Sequence, residues 1–307
     1  MVIKPNLSNR DFDRTRWAST VNTKCHFLKY QLVLLAVIFM SVLGLSSCVD
    51  LSEITQLAKS SQDVGNSFKQ IADEALNSCK RANNFIPAGQ QALSCEDYAK
   101  IEPLLTKVND ALFAYIASLG KLATADAAKK DALVNISSDL QQADKNINQQ
   151  DLNRAKQAGG LAEAIAHVIL SRYQQHELAK IIGDQNENVK AVAEFLSGYA
   201  ADKCESALKE EQLLQANYFQ GQLEDYSSKE PLAAYLLKLK RSDDAASLDA
   251  KIQAVEKYKQ AVSSVTRAHQ KLFDQRNKWN AQQLITDLAP EIQQLSGAAT
   301  SMIKAFQ

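Results

Sequence analysis

The stretch LDAKIQAVEKYKQAVSSVTRAHQKLFDQ, at residues 248–275, decides the fold class. Its apolar side chains recur every three or four residues, the spacing that keeps them on one side of an α-helix. A helix cannot bury such a stripe alone, so this stretch predicts a long amphipathic helix packed against other helices. The stripe is formed by Leu248, Ile252, Val255, Tyr258, Val262, Val265, His269, Leu272, Arg276 and Trp279.

Similar spacing covers most of the chain after residue 60, and good helix formers such as Ala, Leu, Gln, Lys and Glu dominate there. No convincing run of alternating β-branched residues is present. The predicted fold class is therefore all-α: an elongated antiparallel bundle of about six to eight helices with coiled-coil-like packing. The further apolar lines run from Val64 to Ala75, Val108 to Leu122, Leu133 to Ile147, Leu152 to Leu178, Val189 to Tyr218, Leu232 to Leu239, and Leu288 to Phe306.

Several short segments predict where helices break or end. A breaker runs from Asn83 to Gly89, Gly159-Gly160 predicts a kink, and Gly183-Asp184 and Ser227-Ser228 predict helix ends. We expect a short helix after Pro231, separate from the helix of residues 248–275.

Two helix starts can be assigned from capping residues. Ser242 or Ser247 is expected to cap the helix that carries the long stripe. Asn280, with Gln283 three residues later, resembles a capping box for the last helix. The alternative for that last helix is a later start, near Pro290.

The chain has the three parts of a secretory signal near its N-terminus. Lysines precede an apolar stretch at residues 32–45, which is shorter than the ~20 residues that span a bilayer. Ser46 and Ser47 then precede Cys48. This arrangement resembles the lipobox of bacterial lipoproteins, and the resemblance implies cleavage before Cys48 and lipid chains on that cysteine.

The resemblance also implies a division of the chain and a location. Residues 1–47 would be a signal peptide, and residues 48–307 a mature helical bundle, either undivided or split into two sub-bundles near 183–186 or 227–245. In the enteric branch of the family, Asp after the cysteine retains the protein at the inner membrane, whereas Val49 stands here. We therefore expect an envelope protein held by lipid on Cys48, at the outer rather than the inner membrane, facing the periplasm or the cell surface.

Three cysteines follow the expected anchor. Cys79 and Cys95 flank the predicted breaker, and an antiparallel helical hairpin would bring its two inner ends together. Because the compartment outside the inner membrane is oxidising, a Cys79–Cys95 disulfide is predicted, with free thiols as the alternative. Cys204 lies within a long helical pattern and is expected to be a buried, unreactive thiol.

The sequence carries no catalytic, cofactor or metal motif that we recognise. His176-Glu177 begins like a zinc-protease motif, but Lys180 stands where the second histidine belongs. After residue 47 the chain has 29 basic and 33 acidic residues, which does not favour nucleic acid as a partner. His269 is expected to be a hydrogen-bonded core residue rather than a ligand.

Two functions fit these observations. The first is a non-enzymatic interaction or scaffold module with a protein partner in the cell envelope. The second is a module that binds an apolar or small ligand between its helices. For the second, the lining would come from Gly159-Gly160 and the aromatic residues Phe195, Tyr199, Tyr218 and Phe219.

Replacing Cys48 with Ser is expected to abolish lipid attachment and to leave an unprocessed precursor, because serine lacks the thiol that the resemblance identifies as the lipid acceptor. Metabolic labelling of cells with a palmitate analogue measures this. Cys25→Ser, a change within the expected signal, should leave labelling intact. Equal labelling of wild type and Cys48→Ser would contradict the lipoprotein interpretation.

Overall fold

A computed structural model of the chain describes residues 51–124, 148–168 and 174–307. Within these ranges the protein is all-α, as predicted, and the described residues belong to one compact unit. Cys48, the expected signal and the helix predicted at Leu133–Ile147 lie outside the described residues. The helices are α1 (Ser52–Ala82), α2 (Glu96–Thr124), α3 (Gln149–Val168), α4 (Gln174–Glu194), α5 (Ala201–Tyr226), α6 (Pro231–Gln275) and α7 (Ala281–Ala305).

The hairpin of α1 and α2 brings two helices unusually close together. A Cβ atom on Gly65 would lie 2.7 Å from the ring of Phe113, and one on Gly120 would overlap Ala58. The Asn109 side chain also donates to the carbonyl oxygen of Gly65 at 3.1 Å. Glycine is therefore needed at both positions because the opposite helix occupies the space of a side chain.

The disulfide predicted between Cys79 and Cys95 is present, with the two Cα atoms 5.7 Å apart. It joins the last turn of α1 to the residue before α2, across the connection that contains the predicted breaker. Gly89 in this connection has a φ of 91°, a left-handed conformation that favours glycine. In the chain-entropy model, closing a loop of this length stabilises the fold by ~3 kcal/mol.

Helix α6 packs its stripe against the α1–α2 hairpin. The ring of Tyr258 stacks on Phe68 with centroids 4.4 Å apart, and its hydroxyl donates to Asn109 Oδ1 at 3.0 Å. Most of the predicted stripe is buried as expected, whereas Ile252 and the last two members are half-buried. The buried members are Leu248, Val255, Tyr258, Val262, Val265, His269 and Leu272.

The predicted start of α6 was wrong. The helix begins at Pro231 rather than at Ser242 or Ser247, so the expected short helix and the long one are a single element of 45 residues. Pro231 occupies the first turn, where its missing N–H costs nothing, and neither serine interrupts helical hydrogen bonding. A serine that could cap a helix therefore does not mark a helix start here, because the apolar pattern continues on both sides of it.

The helix end predicted at Gly183-Asp184 was wrong. Helix α3 runs through Gly159-Gly160, and α4 runs through Gly183-Asp184 to Glu194. A Cβ on Gly183 would lie 3.4 Å from the side chain of Arg276, just after α6, so this glycine packs against a neighbouring segment, whereas a Cβ on Gly159 would meet nothing within 4 Å.

The capping prediction for the last helix was correct. Asn280 Oδ1 accepts a hydrogen bond from the backbone N–H of Gln283 at 3.1 Å. Helix α7 therefore starts at Ala281, and Pro290 lies inside it rather than at its start.

Partly buried ion pairs connect three of the helices. Arg81 at the end of α1 binds both carboxylate oxygens of Glu211 on α5, each at 2.7 Å. It also binds Glu74, which accepts from Lys251 of α6 at 2.7 Å. The Glu211 side chain is only 3% exposed, so loss of Arg81 would leave an uncompensated buried charge.

No helix among the described residues is long and apolar enough to span a lipid bilayer.

Leu272→Ala is expected to lower the free energy of unfolding by ~2–5 kcal/mol, because Leu272 is fully buried and its truncation leaves a cavity. Lys257→Ala, an exposed change on the same helix, should cost less than ~0.5 kcal/mol. Urea unfolding of the protein from Val49 to Gln307 measures both changes. Equal losses of unfolding free energy in the two variants would show that the stripe is not part of the core.

Candidate functional site

A wider helical turn connects α4 to α5. Residues Phe195–Ala200 form a π-helical segment, so one helical rod continues from α4 into α5 without a loop. Phe195 is fully buried and stacks on Tyr199, with ring centroids 5.4 Å apart. Such segments are frequent at functional sites because they redirect side chains without ending the helix.

A cleft of about 400 Å³ opens beside this segment. Three helices meet there, and the cleft is therefore assembled from residues far apart in the sequence. A smaller and more enclosed cavity of about 120 Å³ shares Tyr98 and Lys203 with it and extends towards Cys204. The main lining residues of the cleft are Tyr98 from α2, Asp151 and Arg154 from α3, and Tyr199, Asp202 and Lys203.

Charged groups surround the two tyrosines. Arg154 binds Asp151 at 3.1 Å and Glu194 at 2.9 Å, so its guanidinium is held in place. The Nζ atom of Lys203 lies 5.7 Å from the centre of the Tyr199 ring. The cleft therefore combines aromatic surface with two cations and the carboxylates of Asp151 and Asp202, an arrangement suited to a small polar molecule.

The tyrosine hydroxyls in the cleft remain protonated. Burial, followed by the nearby carboxylate of Asp151, raises the pKa of Tyr199 to about 12. Burial also raises the pKa of Tyr98 above its usual value. Both groups can donate hydrogen bonds to a ligand near neutral pH, but neither is suited to act there as a general base.

Cys204 borders the smaller cavity. It is a free, fully buried thiol, as predicted, and burial raises its pKa to about 12. Since the thiolate is the reactive form, this cysteine is not activated for nucleophilic chemistry.

The aromatic residues expected to line one cavity are in separate places. Phe195 is buried in the core, and only Tyr199 borders the cleft. Tyr218 and Phe219 instead contact Phe85, with ring centroids 5.6 and 6.3 Å apart. The predicted common lining was therefore wrong, because α5 turns these positions towards the connection after α1.

Sequence reasoning missed Tyr98, Arg154 and Lys203. They lie on three helices, and no spacing within a single helix relates them. Of the residues that line the cleft, the sequence had pointed to Tyr199 as a candidate lining residue.

His269 is a core residue, as predicted. Its Nε2 atom lies 2.9 Å from the Tyr115 hydroxyl, and its Nδ1 atom lies 3.2 Å from Asn186 Oδ1. Burial, with a smaller effect of Lys190, lowers its pKa to about 3. The imidazole is therefore neutral and fully engaged in joining α2, α4 and α6.

Within the part of the chain that the structure describes, no cluster of three or more His, Cys, Asp or Glu side chains is arranged to hold a metal ion. No protein-family model, curated protein sequence or solved structure matches the chain. Its function is therefore inferred from its own residues and geometry.

His269→Gln is expected to reduce the loss of stability at acidic pH. The unfolded chain protonates this imidazole below pH ~6.5, whereas the folded protein keeps it neutral down to about pH 3, so unfolding takes up a proton in that range. Between pH 7 and pH 5 the wild type should lose ~2 kcal/mol more than the variant. Urea unfolding at both pH values measures this difference.

Tyr115→Phe is the matched control for this experiment. It removes a hydrogen-bond partner of His269 but keeps the titrating imidazole, so it should lower stability at both pH values while retaining the pH dependence. A His269→Gln protein with the full wild-type pH dependence would contradict the assignment.

Proposed function

We propose that this protein is a lipid-anchored lipoprotein of the bacterial cell envelope that acts as a helical interaction or scaffold module without catalysis of its own. The observation that carries the proposal is the helical core, which large side chains fill and in which nearly all buried polar side-chain atoms have hydrogen-bond partners. Large side chains such as Tyr115, Tyr258 and Phe68 are completely buried. Among the described residues, only Ser61 Oγ and Gln275 Oε1 are buried without a hydrogen-bond partner.

Ion pairs between helices support a rigid module. Glu291 on α7 is 7% exposed at its side chain and binds Arg267 at 2.8 Å and Lys271 at 2.9 Å, both on α6. Together with the network of Glu74, these contacts fix neighbouring helices in register. A scaffold benefits from such fixed surfaces, because a preorganised surface loses less entropy when it binds a partner.

The position of the expected anchor fits this role. Cys48 precedes the first described helix by only a few residues, since α1 begins at Ser52. Two or three lipid chains would give stable membrane attachment, whereas one chain alone holds only marginally. We propose attachment at the outer membrane, with the helices facing the periplasm or the cell surface.

The alternative function is binding of a small ligand, and the cleft beside the π-helical segment favours it. Its protonated Tyr199 hydroxyl, together with charged groups of both signs on Arg154, Lys203 and Asp151, would suit a small polar molecule. The cavity between the helices at this point is about 120 Å³, which is too small for a large apolar ligand. We therefore rank the scaffold first.

Photo-crosslinking in cells separates the two functions. A crosslinking amino acid at exposed positions Glu210, Gln253 or Ile285 should give a discrete protein adduct from at least one face. Cys48→Ser should eliminate this adduct, because the proposed partner is met at the membrane. Lys203→Ala should leave the protein adduct unchanged, because in the scaffold proposal the partner does not bind at the cleft.

Native mass spectrometry of the protein purified from cells provides the second measurement. A bound small molecule that disappears in Lys203→Ala, together with no protein adduct from any of the three positions, would overturn the scaffold proposal in favour of ligand binding.

A further inference from the structure

Helices α5 and α6 continue past the end of α1 as a two-helix hairpin, which we call the projecting hairpin (residues 212–247). Arg81, in the last turn of α1, binds Glu211 of α5, and α5 then continues to Tyr226. At 1.5 Å per residue, this continuation extends ~20 Å beyond the Arg81 contact. Helix α6 returns beside it, and Phe85 from the connection after α1 packs against Tyr218 and Phe219 of the hairpin.

The outer side of the projecting hairpin carries an apolar stripe. Leu232, Tyr235, Leu236 and Leu239 are 72%, 58%, 57% and 46% exposed, respectively. Their spacing places them on one side of α6, while Ala234 is buried on the opposite side. Contiguous exposed apolar residues of this kind mark interaction sites more often than isolated ones.

The two ends of this stripe carry opposite charges. Lys229 lies just before α6, and Asp243 lies one turn beyond Leu239 on the same side of the helix. Both side chains are exposed. If the same stripe from a second copy ran antiparallel to this one, its Asp243 would lie near Lys229 of the first copy.

We propose that two copies of this chain pair through the stripe, α6 against α6, in antiparallel orientation. The two-fold axis passes between Tyr235 and Leu236. Leu232 of one copy then lies opposite Leu239 of the other, and Lys229 of each copy lies beside Asp243 of the other. The charges at the two ends make this surface complementary to itself, as a two-fold interface requires.

The charges favour a second copy over an anionic lipid surface. Asp243 lies along the stripe and would be repelled by anionic head groups. Lys240, the nearest base on that flank, is already bound to Asp244. Two copies, by contrast, use the acid and the base at the ends of the stripe equally.

The exposed area predicts a weak dimer. Four side chains of this size and exposure contribute on the order of 400 Å² per copy. A stable interface buries about 800 Å² per partner. We therefore expect dissociation constants in the micromolar range, and this interface does not depend on the proposed scaffold role.

Sedimentation equilibrium of the protein from Val49 to Gln307 over ~1–300 μM tests the pairing. The wild type should dimerise, and Leu236→Asp should weaken dimerisation at least tenfold. Lys229→Asp and Asp243→Lys should each weaken it ~3-fold or more, because each change places like charges together twice. The double variant Lys229→Asp/Asp243→Lys should return to within ~3-fold of the wild type.

Leu213→Asp is the matched control, since Leu213 is 62% exposed on α5 but outside the stripe, and it should dimerise like the wild type. At concentrations well below the dimer dissociation constant, melting temperatures should be equal for Leu236→Asp and wild type; a lower value for the variant would show that another segment of this chain covers the stripe. A wild type that stays monomeric, or a double variant that is not restored, would overturn the proposal. The proposal would also be overturned if the wild type were monomeric and bound phosphatidylglycerol vesicles, and if Leu236→Asp abolished that binding.

Discussion

The contact of Tyr258 with Phe68 and Asn109 is the interaction on which the rest of the bundle depends. The Tyr258 side chain joins α6, the longest of the described helices, to both members of the α1–α2 hairpin, through a stacked contact of 4.4 Å and a hydrogen bond of 3.0 Å. Asn109 is itself held by the carbonyl oxygen of Gly65, one of the two glycines at which the hairpin helices approach closely. Aromatic packing, a satisfied buried hydroxyl and a close helical approach therefore reinforce each other at one level of the core.

Buried polar groups give this core its specificity. An apolar stripe can slide or rotate against another at modest cost, whereas a buried hydrogen bond requires one register. Tyr115, His269 and Asn186 impose that requirement between α2, α4 and α6, and Glu291 imposes it between α6 and α7. The polar residues are therefore as important as the apolar stripe in selecting a single packing of these helices.

The fold class followed from the sequence because helical periodicity and the Cys79–Cys95 spacing are local signals. The disulfide prediction succeeded because a hairpin geometrically pairs its inner ends. Boundaries failed where packing outweighed propensity, as at Gly183-Asp184, or where a serine inside a helix resembled a cap, as at Ser242. The cleft could not be predicted, because Tyr98, Arg154 and Lys203 converge only after three helices have packed.

The π-helical segment changes the phase of the rod formed by α4 and α5. A wider turn takes up additional backbone within the rod, so the side chains beyond it are rotated about the common axis relative to a uniform α-helix. Helix α4 can thus face α3 and α6, while α5, in the same rod, faces α1 and α6. One uninterrupted helix therefore packs against different neighbouring helices on either side of the π-helical segment. The same wide turn borders the cleft that Tyr199 lines.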